Sequence, residues 1–247
     1  MSQDYWNSLD KLSSEFIREL LKLQKNYIKE IEDILDSEAT VTPKTLKHKL
    51  KKSKAMWNEM IKDVKNKYKK KQKEAFDRFI EEIIKKENLQ IDFNKIDWDK
   101  INRLFEAGLK FMDNYSDDVV KKINTQLYLS FINGESFKDA YKRIKPIGNS
   151  RARPSIMIRD QMSRIAQEAV TQAYTADKNA EYYEYYWVGP NDSRTTEICR
   201  KRKEKNPYTF EQMKKLDPHP HIQCRHRWTR KLKKKLPKNT KVQILQH

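Results

Sequence analysis

The chain has 247 residues, of which 36% are charged and 37% hydrophobic, with four glycines, two cysteines and a formal net charge of +18. Two cysteines are too few for a disulfide scaffold, scarce glycine disfavours a turn-rich sheet protein, and no stretch approaches the roughly 20 apolar residues that a membrane helix needs. A field of this sign attracts nucleic acid or another polyanion and repels other basic chains.

Residues 5 to 36 predict the clearest helix. Leu9, Leu12, Phe16, Leu20, Leu23, Tyr27, Ile31 and Ile34 recur at steps of three and four, a stripe that suits bundle packing or a partner helix. Residues 37 to 43 interrupt it, with Thr42 placed to cap a second helix and Pro43 in its first turn. That helix is expected over 43–88, with Leu50, Trp57, Ile61, Val64 and Tyr68 on one face and Phe76, Phe79, Ile80 and Ile83 after a polar gap. Two helices follow, over 97–113 and 116–132, then a short one over 137–144. Ser116 and Ser136 serve as N-caps, and Asn133-Gly134 as a stop.

Residues 145–154 combine proline, glycine and small polar residues and read as a linker. A helix over 155–180 follows, with Ile158, Met162, Ile165, Ala169, Ala173 and Ala176 inward. The pattern then changes. Tyr182 to Val188 is an aromatic run suited to a buried strand, Gly189 to Asp192 a turn, and Asp192 or Ser193 a cap for a helix carrying Cys199. Residues 209–216 predict one more helix. Gln223 to Thr229 alternates, placing Cys224, His226 and Trp228 on one side of a strand. The expected fold is mainly α. A long-helix N-terminal region (1–145) and a linker (146–154) precede a small α+β module with a short hairpin or sheet (155–230). A basic flexible tail (231–247) ends the chain.

Charge is concentrated in two places. Thirteen lysines lie between Lys44 and Lys73 against only Glu59 and Asp63. Lys65, Lys67, Lys69, Lys70, Lys71 and Lys73 form one candidate DNA-facing surface. Arg225, Arg227, Arg230, Lys231, Lys233, Lys234 and Lys235 form the other. A solvated helical face is the plain alternative. Lysine in place of arginine favours backbone attraction over base reading. The opening Met1-Ser-Gln-Asp-Tyr-Trp lacks the basic start and apolar run of a signal peptide, so a soluble protein of a reducing compartment is expected.

Both cysteines and three of the five histidines fall between positions 199 and 226. Cys199, His221, Cys224 and His226 offer two sulfurs and two nitrogens, a tetrahedral set for a structural Zn2+, with His219 and Asp192 in reserve. The alternative is a buried free thiol among backbone-bonded histidines. Asp192 and Arg194 are expected to lock the turn against the Cys224 strand, through amide bonds and a guanidinium clamp. A catalytic reading would make Asp192 a metal ligand or base. The local shortage of paired carboxylates argues against it.

At these residues the chain resembles the Mu protein F-like family of phage minor head, or head morphogenesis, proteins. The resemblance rests on Thr171-Gln-Ala-Tyr-Thr-Ala-Asp-Lys-Asn179, Tyr185-Tyr-Trp187, Asp192-Ser-Arg-Thr195, Cys199 and Pro218-His-Pro-His221-Ile-Gln-Cys224-Arg-His226, within residues 160 to 230. Two positions depart from the family pattern: Thr196 stands where a cysteine is frequent, and His226 replaces a final cysteine. The resemblance implies a protein inside the virion, in few copies near the portal protein. It also implies contact with packaged double-stranded DNA and with other inner-head proteins, assembly in the host cytoplasm, and no catalysis. The rival readings are a metal-dependent nuclease or toxin-like hydrolase, and a DNA-binding scaffold unrelated to phage.

Overall fold

The computed structural model describes residues 3–36, 43–150 and 152–233. The protein is mainly helical, with a two-stranded antiparallel sheet and short helices toward the C-terminus. The elements are α1 (Gln3–Asp36), α2 (Pro43–Lys86), α3 (Trp98–Ile132), α4 (Phe137–Asn149), α5 (Ala152–Ala176), β1 (Tyr183–Val188), α6 (Glu197–Glu204), α7 (Phe210–Lys214) and β2 (Arg227–Leu232). The chain divides into two compact units: Met1–Ala75 with Asp99–Met162, and Phe76–Trp98 with Ser163–His247.

In the first unit the apolar stripes meet as helix periodicity requires. Phe16, Leu20, Leu23, Tyr27 and Ile31 of α1 are all buried, as are Trp57, Ile61, Val64 and Tyr68 of α2. Phe16 meets Tyr68 edge-on at 4.9 Å, and Tyr27 lies 4.7 Å from Trp57. Leu9, Leu12 and Ile34 belong to the same predicted stripe, but their side chains lie outside the described ones, as does the expected cap Thr42. Trp57 donates its indole N–H to Ser116, and Gln24 donates to the Tyr115 hydroxyl. Those bonds satisfy polar groups that burial would otherwise strand. Gly108 makes room for another polar tie in mid-helix. A Cβ there would stand 2.3 Å from Gln72 Oε1, which accepts from Gln161 Nε2 at 3.1 Å.

Several boundaries differ from the sequence expectation. The two helices predicted over 97–113 and 116–132 are the single helix α3. Ser116 is a buried acceptor inside it rather than a cap, because Trp57 supplies the donor. Helix α4 continues through Pro146 and Gly148 to Asn149. A Cβ on Gly148 would lie 2.5 Å from Ile28 Cγ1, so glycine there lets α4 lie against α1. Ser136 caps α4 as predicted, accepting from the Asp139 N–H at 3.2 Å.

In the second unit β1 and β2 pair with Trp187 opposite Trp228 and Tyr185 opposite Arg230. Trp187 and Trp228 are buried and meet at 4.9 Å. The strand predicted over 223–229 begins later, at Arg227. Gln223 turns the chain with a φ of 56°, so Cys224 and His226 precede the ladder rather than standing in it. Asp177 follows α5 and accepts from the Gln90 and Asn179 N–H groups, both at 3.2 Å.

Arg230 reaches into this unit from β2. Its guanidinium donates to Asp177 and to Glu87 Oε2 (3.0 Å) and lies 3.7 Å from the centre of the Tyr183 ring. Burial opposes the charge on Arg230, but the hydrogen bond and attraction of Asp177 outweigh it and hold its pKa above the ordinary value. Asp177 and Arg230 side chains are 1% and 4% exposed, so removing one strands a buried charge. Asp177→Ala is expected to destabilise this unit by about 3–5 kcal/mol, read by urea denaturation followed through tryptophan fluorescence. A loss below about 1 kcal/mol would show that the pair does not hold β2 in place.

Candidate metal centre

Three of the four predicted ligands lie together in the core of the second unit. Cys199 sits in the first turn of α6, a helix whose N-cap is Thr196 rather than Asp192 or Ser193. Cys224 and His226 lie in the turn before β2. The ligand atoms of Cys199, Cys224 and His226 all fall within 4.8 Å of one another, and all three residues are buried. His221 is half-buried, and its Nε2 stands 3.1 Å from Cys199 Sγ. The two sulfurs are 3.7 Å apart.

Those spacings fit a tetrahedral ion. Sulfurs each about 2.3 Å from one tetrahedral centre stand about 3.8 Å apart. The imidazoles are prepared in the same sense. His221 Nδ1 bonds the Ile222 carbonyl at 2.9 Å; a carbonyl only accepts, so the proton is on Nδ1 and the Nε2 lone pair faces Cys199. His226 hydrogen-bonds the Pro190 carbonyl, and its Nε2 is a buried nitrogen without a hydrogen-bond partner. Burial, then the nearby charges of Lys203 and Arg225, lower the His226 pKa. Burial pushes the Cys224 thiol up to about 12, with the neighbouring Cys199 adding to the rise. A thiol so disfavoured as an anion needs a cation beside it to ionise at neutral pH. The group can hold a metal ion.

The surroundings fix these side chains. Ser163 Oγ and Gln167 Nε2 of α5 donate to the Cys224 carbonyl at 3.3 and 3.0 Å. Trp187 stacks on the His226 ring at 6.0 Å with a 13° interplanar angle. Asn206 acts as a strand surrogate: its side chain accepts from Trp187 N–H at 2.7 Å and donates to Trp187 C=O at 3.0 Å. The reserve ligands lie outside the cluster. His219 is buried, with its backbone N–H on Asp217 Oδ1 at 2.8 Å.

Asp192 is held elsewhere. It accepts two bonds from Arg225, at 2.8 and 2.6 Å, and one from the Arg194 N–H at 3.0 Å. The Arg225 bonds, with those from Arg194 and Thr195, hold its carboxyl well below the usual carboxylate range. Asp192 therefore bonds the Cys224 segment through the guanidinium of Arg225, and Arg194 contributes only its backbone.

The predicted cationic surfaces are partly neutralised. Lys65 pairs with Asp113, Lys69 with Glu106 at 3.5 Å, and Lys70 and Lys71 with Glu74 at 3.9 and 3.0 Å. Lys67 and Lys73 are exposed. In the second group Arg230 is withdrawn by burial and its two carboxylates, which corrects its assignment to a DNA-facing surface. Arg227 is half-buried, Lys231 is exposed, and Lys233 donates to the Glu181 carbonyl at 2.6 Å. Lys234 and Lys235 lie outside the described residues. Four features had no local sequence signal: the Arg230 cluster, the Asn206 clamp, the Ser163–Gln167 grip on Cys224 and the Arg225 partner of Asp192. Each joins residues far apart in the chain.

Residues 121–229 match the family model described as Phage Mu protein F like protein. The match takes in every residue of the candidate metal centre. No curated protein and no solved structure matches the chain.

Gly189 offers a test of how the centre is shaped. A Cβ there would stand 2.6 Å from both Cγ and Cδ2 of His226 and 2.9 Å from its Cα. Backbone and a buried ring cannot yield as a flexible side-chain end would. Gly189→Ala should displace the His226 ring and cost about 1–3 kcal/mol of stability, seen as shifted ring resonances and an earlier urea midpoint. Unmoved resonances with parental stability would contradict the packing described.

Proposed function

We propose that this protein is a head morphogenesis protein of a tailed phage, held inside the capsid near the portal, where it contacts packaged DNA without base specificity. The observation that carries the reading is the Mu protein F-like domain over residues 121–229. The net charge of +18 supports contact with a polyanion. Lys67, Lys69, Lys70 and Lys73 on α2, with Lys231, are exposed cations proposed to meet phosphate. Ion pairs as exposed as Lys69–Glu106 are weak, so phosphate can compete for those lysines. No part of this contact requires a reading of bases.

Within the module, Cys199, His221, Cys224 and His226 are proposed to hold a structural Zn2+. The chemistry of the donor set supports it: two thiols, two oriented imidazole nitrogens and a sulfur separation suited to a tetrahedral edge. The ion would supply the positive charge that a buried thiolate pair requires. The protein residues do the remaining work. Ile222 and Pro190 carbonyls orient the imidazoles, and Ser163 with Gln167 hold the Cys224 backbone.

The assembly reading and the metal site are tested separately. In purified heads the chain should resist added protease until DNA is released, and in solution its affinity for duplex DNA should fall steeply as salt rises. Absence from heads, or an affinity indifferent to salt, would overturn the assembly reading. For the metal, the purified chain should contain stoichiometric zinc by elemental mass spectrometry, and Cys224→Ser should lose it. A metal-free protein whose thermal midpoint does not move in chelator would remove the zinc site and leave the assembly reading standing.

A further inference from the structure

The sheet of β1 and β2 has one closed edge and one open edge. Lys233 donates its N–H to the Tyr182 carbonyl at 2.9 Å, which sets the phase of the ladder. With Glu184 opposite Lys231 and Tyr186 opposite Thr229, residues 227, 229 and 231 turn their backbone groups toward β1. The far side of β1 is closed. Tyr185 exchanges both backbone bonds with Tyr208, at 2.9 and 2.7 Å, and the Asn206 amide covers Trp187.

The far side of β2 is different. Trp228, Arg230 and Leu232 aim their N–H and C=O groups away from β1, and no described residue bonds them there. Trp228 is buried as a whole, and from Arg230 onward the row reaches solvent. The Arg230 side chain is 4% exposed, yet the residue as a whole is only half-buried, so the accessible part is backbone. Such a row is a template for an added strand.

The side chains along the edge state its preference. Arg227, Lys231 and Lys233 share one face by alternation, and on the other Leu232 is 38% exposed. We infer that this edge receives an extended acidic segment of another protein as a third strand, with carboxylates beside Lys231 and Lys233 and an apolar residue beside Leu232. Charge selects among the occupants. A second copy would set its own Arg227, Lys231 and Lys233 against these, and like charges across a ladder are destabilising. Residues 234–247 of the chain contain four lysines and no acid. Nucleic acid would meet the cations but not a row of alternating donors and acceptors.

The test uses the full chain and a fluorescent synthetic peptide alternating Glu and Val, with a Lys/Val peptide as control. The Glu/Val peptide should bind, and the amides of Arg230 and Leu232 should slow in hydrogen exchange. Leu232→Pro removes one outward N–H and leaves the bonds to β1, and should weaken binding about tenfold. Lys231→Glu keeps every backbone bond and should weaken it by a similar factor of about ten. Equal binding of the Lys/Val peptide, unchanged exchange at the two amides, or full affinity in folded Lys231→Glu would overturn the inference. So would protection of those amides in the free chain that vanishes on removing residues 234–247, on dilution, or that appears with duplex DNA in place of peptide.

Discussion

A buried guanidinium anchors the C-terminal unit. Arg230 is fully ionised at any pH of interest, so its place in the interior is set by the carboxylates of Asp177 and Glu87 and by the ring of Tyr183. That constraint positions β2, and β2 positions the turn immediately before it. Cys224 and His226 sit three and one residues ahead of the strand, so the candidate metal centre inherits its geometry from an ion pair that supplies none of its donor atoms. Breaking such a pair is costly because one partner would remain charged and dry.

Around the thiols the protein uses backbone and amide groups rather than further charge. Carbonyls of Pro190 and Ile222 select the imidazole faces, and α5 grips the carbonyl of Cys224. These partners fix orientation without competing for a cation. The same economy closes the outer edge of β1, where the amide of Asn206 stands in for a strand. Among the described residues β2 has no equivalent, and the sheet is asymmetric in what those residues leave available.

The distribution of charge also changes between chain and fold. Along the sequence, the lysines of α2 meet few acids. Folding brings Asp113 and Glu106 from α3 beside Lys65 and Lys69. Arg225 pairs with Asp192 at the surface, and Arg230 is buried with Asp177. The field remains strongly positive, but the residues that project it are fewer than a linear count suggests.

The amino-acid sequence by itself determined what depends on short-range periodicity and residue type. The long helices and their buried faces, the aromatic strand and the cap at Ser136 were all legible, because each rests on neighbours within a turn or two. The tertiary structure alone decided where α3 continues through Ser116, since Trp57 lies 59 residues away. It also decided that Arg225 rather than Arg194 clamps Asp192, 33 residues distant. The separations of 53 and 143 residues that join Arg230 to Asp177 and Glu87 carry no local signature. Cys199 and Cys224 could be matched by chemistry from the sequence. Their approach to 3.7 Å required α5, α6 and the turn before β2 to converge, because a buried polar group is placed by all the partners that satisfy it.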